Sequence, residues 1–184
     1  MYQINTYYGH TIDYNNPDPM EIDIRDIAHN LSFENRFIGQ TVLPYSVAQH
    51  CVLGSYILEE MGLPDIALQF LLHDATEAYV KDIPTPLKKL LGIKYQSIEA
   101  RFQVAIWERF NLASFDDQMI KKIDLVMLAT EKNQLLPPAT VRWEQLDGIL
   151  PANIKIDYWT HERAEKAYLD QFNNLIQEVR HGGS

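Results

Sequence analysis

An all-α fold, a helical bundle preceded by a short β-hairpin or extended arm, is what three features of this 184-residue sequence predict. Apolar residues recur at helical spacing in successive stretches of the chain. Capping residues and breakers punctuate those stretches, with Asp23, Ser46, Ser114 and Thr160 in front of them and Gly62 and Pro137-Pro138 behind. Only the first 23 residues, rich in Tyr, Asn, Asp and Pro, alternate instead, with "INTYYG" and "TIDY" on either side of Gly9-His10. The expected organisation is one domain over residues 1–184, an N-terminal arm to residue 23 and a helical body over 24–180. That length is enough for one sizeable core.

The elements follow in order. Asp23 caps a helix through Leu31, in which Ile24, Ile27, Ala28 and Leu31 share a face. Ser46 opens the next, where Val47, Leu53, Ile57, Leu58 and Met61 are apolar and Gly62 is the stop. Pro64 begins a third helix, "DIALQFLLHDATEAYV", apolar nearly all round at its centre and therefore expected in the buried middle of the bundle. The two prolines of "DIPTPLKK" cannot sit inside a helix, so the pattern breaks there. "IEARFQVAIWERF" is amphipathic, and Ser114 is placed to cap the helix carrying "QMIKKIDLVMLATEK". Pro137-Pro138 ends it, "ATVRWEQLDGILPANI" reads as loop, and Thr160 caps a last helix with Ala164, Ala167, Tyr168, Leu175, Ile176 and Val179 facing inward.

Composition excludes several function classes. The formal charge is −9, and the short basic pairs form no stripe, which argues against a nucleic-acid polymer as partner. No apolar run is long enough for a bilayer and the N-terminus lacks a charged-then-apolar signal pattern, so no membrane partner and a cytoplasmic location are expected. A single cysteine, Cys51, suits a reducing compartment. It follows His50, where a thiolate ligand is conceivable, but in an apolar helix it reads as core filler.

Four residues far apart in sequence then stand out: His50, the adjacent pair His73-Asp74, and Asp124. Each sits at or near the apolar face of its predicted helix, His73-Asp74 at the end of the apolar run "ALQFLL". Burying imidazoles and carboxylates is costly unless something pairs them. A divalent cation does so, since mixed His and carboxylate ligation suits Mn, Fe, Co, Ni or Zn. Glu77, three residues after Asp74, is either a solvated helix residue or a carboxylate that relays a proton beside such an ion. Asp82, ahead of Ile-Pro, either holds a turn or orients a water.

The stretches "SVAQH", "LLHDATEAYVKDIPTPLK" and "KIDLVMLATE" together resemble the HD-domain phosphohydrolases, and among them the YfbR-like 5′-deoxynucleotidases. "IDIRDIAHNLSFENRFIGQTVLPYSVAQH" is also similar to small phage and bacterial members, the DatZ-like dATP triphosphohydrolases included. The resemblance covers roughly Asp23 to Glu131. It implies that His50, His73, Asp74 and Asp124 hold one divalent metal ion (Co, Mn, Zn, Fe, Ni or Mg), that Glu77 is the acid/base, and that Asp82 assists at the water or leaving group. Arg36 would contact substrate phosphate, Phe37 would stand where close relatives carry a stacking Trp, and Lys88 and Lys121 would neutralise a phosphate chain. The implied substrate is a small deoxyribonucleotide, taken as monophosphate to nucleoside or as triphosphate, and the implied assembly is a homo-oligomer, dimer or hexamer. Alternatives in view are hydrolysis of a signalling nucleotide such as ppGpp, and a nucleotide sensor that keeps the metal but not turnover.

Overall fold

Gly9, at φ +91°, lets the chain reverse between β1 (Gln3–Asn5) and β2 (Thr11–Asp13), which pair antiparallel with Ile4 opposite Ile12. The computed structural model describes residues 2–112, 116–138 and 142–182, and the side chains through 180. The fold is all-α apart from this hairpin, as its sequence predicts. The hairpin lies against its own chain: Ile12 is fully buried, the Tyr8 N–H donates to Asp26 Oδ1 at 2.9 Å, and the Tyr14 hydroxyl donates to the Tyr79 carbonyl at 2.8 Å.

Helix α1 (Ile24–Phe33) starts at Asp23, whose carboxylate accepts the Arg25 N–H. The Arg25 side chain also bonds that carboxylate and holds it at about 2, below its ordinary 3.8. A depressed carboxylate stabilises the fold above the unfolded value and ceases to do so as pH falls through the folded one. Because Arg25 is exposed, solvent screening limits the contribution to about 1 kcal/mol. Asp23→Asn keeps a cap but not the ion pair, so it should lose about that much near neutrality, with the difference vanishing as pH falls from about 3.8 to about 2. Parallel urea titrations of both proteins check this, and a difference that persists below that window counts against the ion pair.

Helix α2 (Val47–Glu60) begins at Ser46, which accepts the Gln49 N–H, and is closed by Gly62 at φ +74°. It is the hub of the bundle, packed on α1, α3 (Pro64–Leu71), α7 (Asp117–Leu135) and α8 (His161–Gly182). Its closest approach to α3 is at Gly54, where a Cβ would stand 2.1 Å from the Phe70 ring.

One expectation needs correcting. "DIALQFLLHDATEAYV" is not one helix: α3 stops at Leu71, turns occupy Leu72 to Thr76, and α4 (Glu77–Val80) resumes. The cause is local. The Phe70 carbonyl, which an unbroken helix would give to the Asp74 N–H, is taken by the His73 N–H at 3.3 Å and the His73 ring Nδ1 at 2.6 Å. Contacts then run three residues back, from Ala75 to Leu72 and from Glu77 to Asp74. His73 and Asp74 therefore sit on turn backbone, free of helical spacing.

Pro84 and Pro86 open a short helix, α5 (Thr85–Leu91), that buries none of its residues; α6 (Ile93–Phe110) follows. Ser114, the expected cap of α7, lies outside the described residues, and the Asp116 carboxylate caps that helix through the Met119 N–H. After Pro137-Pro138 the described chain carries only a 3-10 turn, Glu144–Leu146, before Thr160 accepts the Arg163 N–H and α8 begins. Helix α8 buries Ala164, Tyr168 and Leu175 against α1, α2 and α3. One apolar cluster runs from Ile12 through Ile27, Val52, Phe70 and Ile106 to Leu175, and a smaller one joins Tyr45, Leu135 and Ile156. Among the described residues no helix is long and apolar enough to cross a membrane.

Candidate metal centre and its cleft

The break after α3 faces α2 and α7, and there the expected ligands meet. His50 Nε2 is 3.8 Å from Asp74 Oδ2 and 3.4 Å from Asp124 Oδ1, and His73 Nε2 is 3.2 Å from Asp74 Oδ1. One ligand atom each from His50, His73 and Asp74 fall within 4.8 Å of one another. Asp124, the most exposed member, joins them through its contact with His50.

The two imidazoles are set for ligation by what their other nitrogens do. His73 Nδ1 faces the Phe70 carbonyl, which only accepts, so Nδ1 carries the hydrogen. His50 Nδ1 faces the Glu131 carboxylate at 2.6 Å and carries its hydrogen for the same reason. Both Nε2 atoms are buried and, among the described residues, without a hydrogen-bond partner, each turned toward carboxylate oxygens. Two imidazole lone pairs and the Asp74 carboxylate form a donor set that fits one divalent cation, with Asp124 alongside. Burial and the nearby Arg36 guanidinium press the His50 pKa down, but Glu131 and Asp124 outweigh them and lift it to about 9. A cation at Nε2 therefore displaces a proton and must compete for that site below this pH. Partial burial works against ionisation of Asp124, yet its contact with His50 holds it well below the usual carboxylate range.

Beside these groups lies a cleft of about 660 Å³. Glu77 is buried, with Oε2 lacking a hydrogen-bond partner among the described residues, so it is not a solvated helix residue. Burial, then the charges of Asp74 and Asp82, raise its pKa well above the ordinary value. Asp82 lines the cleft and is raised by burial too. Its N–H points to Glu34, which also binds the Lys81 ammonium at 2.7 Å. Arg36 lines the cleft while bonded to Glu131 at 3.1 Å and facing Asp74 at 3.4 Å. Phe37 lines it, and so does Lys88, which bonds Glu99 at 2.8 Å and stands 3.8 Å from Glu77. Lys121 is exposed and is not among the cleft residues.

Backbone strain is stored at Phe37 and Ile38 in the cleft wall and at Lys81, the residue before Asp82. Phe37, Ile38 and Lys81 have φ of 57°, 54° and 73°, left-handed values that cost non-glycine residues about 1–3 kcal/mol each. Strain of this kind persists where surrounding contacts over-determine it, and such places cluster at functional sites.

The chain is 37% identical over 176 residues to the uncharacterized protein YfdR of Escherichia coli (strain K12), covering 95% of this chain and 96% of that one. This chain belongs to the YfdR family. A second relative of this YfdR-family chain, the uncharacterized protein RCAP_rcc00048 of Rhodobacter capsulatus, is 36% identical over 137 residues, 69% of each chain. No family model matches.

Two residues of the site in this YfdR-family chain were not singled out by sequence spacing. Glu131, fully buried, gathers His50 Nδ1, the Arg36 guanidinium and the Tyr45 hydroxyl. Burial alone would raise its carboxyl, but Arg36 and His50 hold it below the ordinary value. The available signal was its position seven residues after Asp124, two turns along the same face. Trp143 lines the cleft, and nothing in its loop-like surroundings announced it.

Proposed function

We propose that the chain is a divalent-metal-dependent phosphohydrolase of the HD-domain type, acting on 5′ phosphates of deoxyribonucleotides. The observation that carries this reading is the pair of buried imidazoles whose Nδ1 atoms are committed to Glu131 and Phe70 while their Nε2 atoms face Asp74 and Asp124. His50, His73, Asp74 and Asp124 would hold the ion, which when bound supplies a Lewis acid for a phosphoryl oxygen and acidifies water. Glu77 accepts the attacking water's proton; burial makes it a stronger base than a solvated Glu. Arg36 and Lys88 bring positive charge to the cleft wall where phosphoryl oxygens gain negative charge. Asp82 faces the same space and assists at the water or the leaving group. A cleft of about 660 Å³ suits a nucleotide better than a polymer. With this reading go a cytoplasmic location and a homo-oligomeric assembly.

The test is incubation of the purified protein with each dNMP and dNTP under Mn, Co, Mg and Zn, quantifying orthophosphate and nucleoside. Phosphate release from monophosphates alone selects the nucleotidase form, and release from triphosphates selects the other. No release under any ion, together with no metal by elemental assay, removes the proposal. Glu77→Gln should retain bound metal and lower kcat by about 100-fold or more; unchanged turnover would strip Glu77 of its role.

A further inference from the structure

We infer that a hollow between α4, α5 and α6 is a built water site beside Glu77, and that Gln103 is the positioning residue that holds a water on that carboxylate. The inference rests on the phosphohydrolase reading for what Glu77 does, and on the hollow itself for the water. Gln96, Glu99, Ala100 and Gln103 recur on α6 at spacings of three and four, one face of a helix. They line a hollow of about 280 Å³ whose other walls include Glu77 and Lys88. This face is polar, whereas the face of α6 that carries Phe102, Ala105 and Ile106 is apolar and packed in the core. Depth changes across the hollow: Gln96 and Ala100 are exposed, while Glu77 is buried. Asp74, Glu77 and Lys88 also line the larger cleft, so Glu77 borders both spaces.

Hydrogen-bond accounting identifies the occupant. Two lining residues each bury an atom that has no hydrogen-bond partner among the described residues: Glu77 Oε2, an acceptor, and Gln103 Nε2, a donor. Buried polar groups of native proteins find partners, and water supplies those that the chain does not. One water satisfies this pair, donating to Glu77 and accepting from Gln103, and the hollow has room for several at about 30 Å³ each. Lys88 is engaged elsewhere: its ammonium bonds Glu99 at 2.8 Å and stands 3.8 Å from Glu77 Oε1, which leaves Oε2 to the water. Lys88 faces three carboxylates in this lining, those of Asp74, Glu77 and Glu99, a balance that favours water over an anion. The held water then fixes Glu77. A carboxylate with one oxygen anchored keeps a set rotation, so the reacting water in the cleft meets the same geometry at every turnover.

Two variants separate this role from packing. Gln103→Leu keeps the bulk, removes the donor and excludes the water, whereas Gln103→Ala removes the donor but leaves space for a second water in place of the amide. Gln103→Leu should lower kcat by about 10- to 100-fold, the worth of one hydrogen bond to a charged group, with KM and bound metal unchanged. Gln103→Ala should recover part of that loss. A Gln103 that only fills space would suffer more from Ala than from Leu; that order, or an unchanged kcat in both variants, overturns the inference. A second measurement needs no turnover. In a high-resolution crystal structure of the protein, an ordered water should lie within hydrogen-bond reach of both Glu77 Oε2 and Gln103 Nε2, and it should be missing from Gln103→Leu. Absence of that water from the parent, or its persistence in Gln103→Leu, also overturns the inference. If the water behaves as expected but no nucleotide is hydrolysed, the water site stands and the phosphohydrolase reading falls.

Discussion

Glu131→Ala should destabilise the protein by about 3–5 kcal/mol, the range for breaking a buried ion pair by removing one partner. Glu131 is fully buried and is the shared acceptor of the Arg36 guanidinium, the His50 ring and the Tyr45 hydroxyl. Its removal leaves a guanidinium short of its main counter-charge and two donors without acceptors, in a space too enclosed for bulk water. Against a typical total stability of about 5–15 kcal/mol, that loss removes a large share of what holds the native state. Glu131→Gln retains the shape and one acceptor, so it should cost less, yet it gives up the carboxylate that orients His50 and so should weaken cation binding 10- to 100-fold, in order of magnitude. Urea titrations followed by circular dichroism, with metal titrations of the Gln variant, check both. An Ala variant as stable as the parent would show that Arg36 and His50 find other partners.

Gly54→Ala is expected to cost about 1–3 kcal/mol for one added methyl group. The new Cβ would fall 2.1 Å from the edge of the Phe70 ring, a distance no contact tolerates, so the α2–α3 crossing must open or the ring must turn. Phe70 is fully buried and its own carbonyl anchors the His73 ring, which makes the disturbance travel to the ligands. Cation affinity should therefore fall along with the urea midpoint. Phe70→Leu in the same background removes the obstructing ring atoms, and the double variant should be more stable than the sum of the single losses predicts. Simple additivity would mean that the crossing adjusts elsewhere.

Much of this architecture was legible from local chemistry. Asp23, Ser46 and Thr160 cap the helices they precede, because a short side-chain acceptor ahead of an apolar period has few other uses. Three of the four expected ligands, His50, His73 and Asp74, come within reach of one point, and Asp124 touches His50 from the side, since isolated polar residues on apolar faces need a common partner. The break after Leu71 was hidden for a physical reason. Apolar periodicity continues through Leu72, Ala75 and Ala78, while the interruption comes from one His ring capturing a carbonyl three residues behind it. Glu131 was hidden by its type, since an isolated Glu late in a helix reads as solvated until its three donors, from Arg36, Tyr45 and His50, are in place. Trp143 depends on how a loop returns over α7, which no spacing encodes.

The hairpin has a practical consequence. The hydroxyl of Tyr14 grips the backbone of Tyr79, two residues ahead of the strained Lys81 corner that carries Asp82. The hairpin, through the residue that follows it, thus works as a splint for the chain leading to Asp82. Any fusion or trimming that pries it loose would slacken that corner, so a purification handle belongs at the far end of the polypeptide.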